Sequence, residues 1–195
     1  MMIKKREVKE LPLIEEIYQI YIMYFDQTNG IIPLLISPDE SIKNNEKKIR
    51  PAKFHPIWYL ETKNQNNFEH IDLVYDGKVY LAKKFQIFSR RKKKSSGLSE
   101  EIIDLIAIIV VLPKEIRQHG LNILNIISEV IINDFAEKIF QIIETGLLKE
   151  NLIKTPKIRE IIKKTDFVRD EIRILIRNIW ENYFLSIKNS FESTN

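Results

Sequence analysis

The sequence predicts an α+β protein: an antiparallel sheet of five or six strands in the N-terminal half, packed with two long helices in the C-terminal half. Three observations predict it. Asn29-Gly30 and Asp76-Gly77 each lie between apolar runs, and such dipeptides supply the left-handed backbone a tight hairpin needs. Ile102 to Leu112 is almost wholly apolar and stops at Pro113. Beyond Leu112 the apolar residues recur every three or four positions instead of every two. With 195 residues, 44% apolar, the chain is large and hydrophobic enough to bury a core.

The elements follow in order. Met1 to Pro12 is a charged arm without the apolar stretch of a signal peptide, so residues 1–12 are set apart from a domain over 13–150 and a helical extension over 151–195 that packs on it or on a partner. Tyr18, Ile20, Ile22 and Tyr24 alternate with Ile17, Tyr21, Met23 and Phe25, so both faces of this first strand are apolar. That pattern belongs to a central strand covered on both sides. Its hairpin partner, Ile31 to Ile36, carries Pro33, which cannot donate to a ladder and favours an edge. Pro38 to Phe54 is polar, with Ile42 and Ile49 its periodic apolar pair and a weak helical pattern. His55 to Glu61, with Ile57, Trp58, Tyr59 and Leu60, reads as a strand.

Phe68 to Tyr75 and Lys78 to Phe88 form the second hairpin around Asp76-Gly77, with Val79, Leu81, Phe85 and Ile87 on one face and Lys83 the exception among them. Ser89 to Ser99 reads as a loop, and Ile102 to Leu112 as the last, buried strand. Leu121 to Leu148 is a helix with Leu124, Ile127, Ile131, Phe135, Ile139, Ile142 and Ile143 on its stripe. Thr155 then offers an N-cap with Pro156 in the first helical position. The following stripe is Ile158, Ile161, Ile162, Val168, Ile172, Leu175, Ile179, Tyr183 and Ile187, with a break expected near Thr165-Asp166 because a helix reaching Phe191 is unusually long.

Most chemistry-bearing patterns are missing. There is no cysteine, hence no disulfide framework, thiolate metal site or Cys nucleophile in this chain. The Gly77-Lys78 pair lacks the upstream glycine of a phosphate-binding loop, Asp72 standing there instead. His55, His70 and His119 are isolated, without metal-ligand spacing, and read as ordinary sheet or surface histidines. Ser95-Ser96-Gly97 is no nucleophile elbow. Glu129, Asp134, Glu137 and Glu144 carry no Glu-x-x-His motif. Asp166 with Arg169 and Asp170 with Arg173 read as i, i+3 pairs on a solvated helix face, which offset a cationic ridge of Arg169, Arg173 and Arg177. The expectation is a protein that is not an enzyme and holds no cofactor or metal.

Two features stand above that background. The net charge of +4 is concentrated: Lys83, Lys84, Arg90, Arg91, Lys92, Lys93 and Lys94 lie together without an acid, leaving −3 for the remainder. Arg90, Arg91, Lys92, Lys93 and Lys94 are therefore candidate contacts to an anionic surface, be it a membrane, an acidic protein or a nucleic acid, with a merely solvated loop as the plain reading. Trp180, Tyr183, Phe184 and Phe191 crowd the last helix beyond one amphipathic stripe and form a candidate partner interface, with core packing as the plain reading. The longest unbroken apolar run, Leu105 to Leu112, is far shorter than the ~20 residues that span a bilayer. A soluble, cytoplasmic chain, at most peripheral to a membrane, is expected.

The layout resembles longin/roadblock-like domains. The resemblance rests on Phe25-Asp26 and Gly30-Ile31-Ile32-Pro33-Leu34 around the first turn, on Ile71-Asp72-Leu73-Val74-Tyr75 with Gly77-Lys78-Val79-Tyr80, and on Ile102 to Leu112 followed by the helix from Leu121. It covers order and spacing over Leu13 to Leu148, hence a longin-like domain over 13–150. The pattern has a helix between the second and third strands, where Pro38 to Phe54 stands. Such domains are usually non-catalytic modules, so the resemblance implies a protein that regulates or scaffolds a small GTPase or a membrane-trafficking complex. It implies a small GTPase or a homologous longin-like subunit as partner, with a homodimer among the expected states. The alternative is a nucleic-acid-binding protein using the basic loop Lys83 to Lys94, with nucleic acid ranking below protein.

Overall fold

The computed structural model describes residues 18–26, 30–61, 71–92, 101–149 and 155–192. Among the described residues five strands form one antiparallel sheet: β1 (Gln19–Asp26), β2 (Gly30–Ser37), β3 (Ile71–Tyr75), β4 (Lys78–Lys92) and β5 (Glu101–Pro113), in the order β2-β1-β5-β4-β3. Three α-helices accompany them: α1 (Glu46–Glu61), α2 (Arg117–Lys149) and α3 (Pro156–Glu192). The protein is thus of the α+β class, with its sheet in the N-terminal half and its long helices in the C-terminal half.

β1 lies between β2 and β5, and its alternation serves two cores at once. Tyr18, Ile20, Ile22 and Tyr24 pack with Val79, Leu81, Phe85, Ile106, Ile108, Val110 and Leu112 under α2 and α3. Tyr21 and Met23 face the other way, with Tyr80, Ala107, Ile109 and Val111, under Ile49 and Ala52 of α1. The reading of β1 as a strand covered on both sides holds. β2 is an edge strand, and its register slips where Ile22 pairs with Leu35 but Met23 pairs with Pro33, leaving a bulge at Leu34. Proline is tolerated there because an edge bulge asks nothing of its missing N–H. Gly30, at φ +75°, closes the first hairpin; Asp76 and Gly77, at φ +50° and +70°, make the second turn.

Four expectations need correction. His55 to Glu61 is not a strand but the second half of α1, so the sixth strand does not exist among the described residues. The helix starts where Asn45 accepts the Lys48 amide on Oδ1 at 3.2 Å, and it seats Ile49 and Ala52 on the sheet. That apolar face needs a cover, and its demand overrides both the β-leaning run and the breaking tendency of Pro51 and Pro56. Ser89 to Ser99 is not all loop: β4 continues to Lys92, which pairs with Glu101.

The expected break near Thr165-Asp166 is also absent, and α3 runs unbroken for 37 residues, about 55 Å. Thr165 sits within the continuous helix, its buried hydroxyl satisfied 3.0 Å from the Ile161 carbonyl and 2.8 Å from the Thr145 hydroxyl of α2. Lastly, the buried line of α3 is Thr165, Val168, Ile172, Ile176 and Trp180; Leu175 and Ile179 are only half-buried and Ile161 is exposed. Thr155 caps α3 as read, accepting the Ile158 amide at 3.3 Å. No helix of the described residues is long and apolar enough to cross a membrane.

Candidate interaction surfaces

Between β2 and α1 the chain makes a 3-10 turn, Glu40–Asn44, capped by Asp39, whose carboxylate accepts the Ser41 amide at 2.8 Å and the Ser41 hydroxyl at 2.9 Å. Those two hydrogen bonds hold the Asp39 carboxyl below its usual range. The turn aims Glu40 and Lys43 back across the edge of β2. Glu40 Oε1 accepts the Ile36 amide at 3.2 Å and meets Arg173 Nη2 of α3 at 2.7 Å; Oε2 meets Lys43 Nζ at 2.7 Å. Lys43 Nζ also lies 3.5 Å from the Leu34 carbonyl oxygen. Burial alone would raise the Glu40 carboxyl, but hydrogen bonds from Lys43 and Arg173 outweigh it and lower the pKa. The Lys43 ammonium is lowered by burial, which one shared carboxylate fails to offset with Arg169 and Arg173 nearby. The asymmetry is physical: one anion faces several cations, so it gains from each while each cation has only a share of it.

The ion pairs read along α3 are present, Asp166 with Arg169 at 3.3 Å and Asp170 with Arg173 at 2.5 Å. Sequence reasoning missed the partner that gives Arg173 a second task, Glu40, since nothing in spacing links residues so far apart. The same holds for Arg117 Nε, 2.6 Å from Asp72 Oδ2, which ties the start of α2 to β3.

The aromatic cluster divides. Trp180 is 0% exposed and lies on Tyr18, ring centroids 4.0 Å apart at 25°, with Phe184 at 4.6 Å, so its indole belongs to the chain's own core and offers no surface to a partner. Tyr183 and Phe184 are half-buried against that core. The Tyr183 hydroxyl accepts from Asn122 Nδ2 at 3.0 Å and lies 3.3 Å from His119 Nδ1, a tie between the first turn of α2 and the end of α3. Phe191 lies on α3, its side chain outside the described residues.

What the sequence did not single out is the opposite face of α3. Phe167, Ile174 and Leu185 are 66%, 60% and 56% exposed. Their spacings of seven and eleven place all three within about 20° of one line on the helix, about 27 Å from first to last. They are three exposed apolar side chains on one side of the helix, with the exposed Asn178 and Glu181 between Ile174 and Leu185 on that same side.

Of the basic segment, Arg90, Arg91 and Lys92 lie in β4, with side chains outside the described residues, as are Lys93, Lys94 and the serines beyond them. β4 and β5 pair from Lys78 to Lys92, whereas β1 pairs with β5 only over Leu105 to Val111, so the cationic end is a two-stranded ribbon reaching past β1. Lys83 is half-buried and donates to Asn125 Oδ1 of α2 at 3.3 Å, so it fastens the sheet to a helix rather than arming the ribbon. His55 and His70 have no described side chains.

A cleft of about 490 Å³ opens between the first residues of α1 and the β3–β4 turn, with Tyr18, Ile42 and Tyr80 among its lining and Lys47, Lys48, Lys78, Asp39 and Asp76 also lining it. Both signs of charge lie along it, so it selects for neither anion nor cation. Among the described residues no three His, Asp or Glu side chains converge as a metal-ligand set. No family model matches the chain, and no curated protein does.

Proposed function

We propose that this chain is a non-catalytic protein-interaction module of longin-like type, which regulates or scaffolds a small GTPase or a trafficking-type complex in the cytoplasm. Two things support the longin-like reading: the order of two strands, a helix, three strands and two helices, and the presence of α1 in the interval where that layout has a helix. The observation that carries the interaction reading is the exposure of three apolar side chains on one side of α3, Phe167, Ile174 and Leu185. The chain's own helices already pack on both faces of the sheet, so apolar side chains exposed on the outer face of α3 are left for contact with another protein. The test is binding of the full chain to small GTPases of the same genome in their GDP and GTP states. Binding that prefers one state and is lost in Phe167→Glu and Ile174→Glu supports the reading; equal failure in both states removes the regulatory role.

A second reading has its own support. The β4–β5 ribbon presents Arg90, Arg91 and Lys92 beyond the rest of the sheet, which suits a polyanion such as nucleic acid or an anionic membrane surface. Neutralising Arg90 to Lys94 would then abolish binding to DNA, RNA or anionic vesicles and flatten its salt dependence. Unchanged binding would dismiss the ribbon.

A further inference from the structure

The outward face of α1 carries a charge pattern that its packing on the sheet does not use. Between Glu46 and Glu61 the helix has four cations, Lys47, Lys48, Arg50 and Lys53, and no acid. Ile49 and Ala52 are buried against the sheet. Lys47, Arg50 and Phe54 follow one another at steps of three and four, within about 60° of arc on the side turned away from those two. All three are exposed, Phe54 at 48%, and the Arg50 guanidinium lies over the Phe54 ring, 5.2 Å from its centroid. By register Trp58 falls one turn further along the same line, its side chain outside the described residues. Lys53 has an anion, Glu46 at 3.2 Å, whereas among the described residues Lys47, Lys48 and Arg50 form no ion pair. Asp39, which lines the neighbouring cleft with Lys47 and Lys48, has its carboxylate taken up by the Ser41 amide and hydroxyl.

We propose that this face of α1 rests on a membrane surface rich in anionic lipid, with Lys47, Lys48 and Arg50 at the phosphates and Phe54 at headgroup depth. Unpaired cations alone suit any polyanion. The exposed ring decides between them. An aromatic side chain beside cations gains from the boundary between headgroups and acyl chains, while Lys and Arg lay their apolar stems there and keep their charges at the phosphates. Ile49 and Ala52 anchor the helix to the sheet, so the opposite line is presented without any rearrangement of the fold. The inference does not depend on what the module binds through α3 or through the β4–β5 ribbon.

The experiment is co-sedimentation of the full chain with phosphatidylcholine vesicles, with and without roughly 30% phosphatidylserine. Binding requires the anionic lipid and fades in about 0.5 M salt. Each cation near such a surface is worth about fivefold, so Lys47→Gln with Arg50→Gln weakens binding about 25-fold. The same change of charge at Lys157 and Lys163, exposed cations early in α3, leaves it within about fivefold. Phe54→Trp is quenched by brominated acyl chains beyond the wild type's own tryptophans, and Phe54→Ser binds more weakly, which decides the matter should the paired variant not fold. Absent binding, or equal loss from the α1 pair and the α3 pair, overturns the proposal. So does binding that survives the α1 pair but is lost in Arg90→Gln with Arg91→Gln, which assigns it to the ribbon. Binding to an RNA oligonucleotide in place of vesicles, or vesicle binding without quenching of Phe54→Trp, overturns it as well.

Discussion

Thr145 of α2 and Thr165 of α3 share a hydrogen bond at 2.8 Å inside the helix–helix interface, and each hydroxyl also lies within reach of its own helix carbonyl, Gln141 at 2.8 Å and Ile161 at 3.0 Å. Two protons serve three contacts, so one hydroxyl donates backward and the other donates across. Thr165→Val should therefore cost about 1 kcal/mol, read from denaturant unfolding, because Thr145 can still satisfy itself on Gln141. A loss as large as that of a core cavity would show the pair to be indispensable rather than merely satisfied.

Trp180 carries more. Trp180→Ala removes a fully buried indole, its stack on Tyr18 and its contact with Phe184, and should destabilise the fold by about 3–5 kcal/mol. Phe167→Glu on the outside of the same helix should stay within about 0.5 kcal/mol of wild type. Unfolding curves of the two variants separate the face of α3 that builds the protein from its solvent-exposed face.

Gly120 sits where α2 first touches the sheet, and a Cβ there would run into the side chains of Leu81 and Leu112, both fully buried. Gly120→Ala should cost about 1–3 kcal/mol despite alanine's better helix propensity. Stabilisation in a thermal melt would mean those leucines have room to turn away.

Stability should fall at both ends of the pH scale. Burial and the neighbouring Tyr80 push the Tyr21 phenol well above its ordinary 10.0, and its hydroxyl donates to Gln19 Oε1 at 2.6 Å. A raised native value means the stabilisation is whole below 10.0 and is lost as pH climbs beyond it, because only the unfolded phenol ionises easily. At the acid end the sign reverses. Glu40 is lowered from 4.5, so its contribution is whole above that value and drains away as pH drops through the native value. Tyr21→Phe should flatten the alkaline limb and Glu40→Gln the acid limb of stability against pH; limbs unchanged by these variants would place the titrations elsewhere.

The sheet was largely legible because alternation is a local signal. Tyr18 to Phe25 announces two covered faces, Pro33 an edge, and Asp76-Gly77 a turn, each without knowledge of the rest. The α1 helix was not legible, since Pro51, Pro56 and the Ile57–Leu60 run argue against it locally, and only the apolar underside of the sheet demands it. Likewise Ile176 and Trp180 could not be told from Leu175 and Ile179 by spacing, because a one-position rotation of a long helix changes which side chains face inward. Glu40 with Arg173 carried no sequence signal at all. The longin-like resemblance rests on element order, and neither the Glu40–Arg173 ion pair nor the exposed apolar residues of α3 could be inferred from it.

β1 finds β2 at once, but its other neighbour, β5, pairs with it from about 90 residues later in the chain. At ordinary translation speeds that interval takes roughly 5–20 s. Throughout it the hairpin has Tyr21, Ile22 and Met23 to shelter and no second flank. Biogenesis of this protein therefore includes a waiting period, and the nascent chain should depend on chaperones that shield apolar strands until β5 emerges.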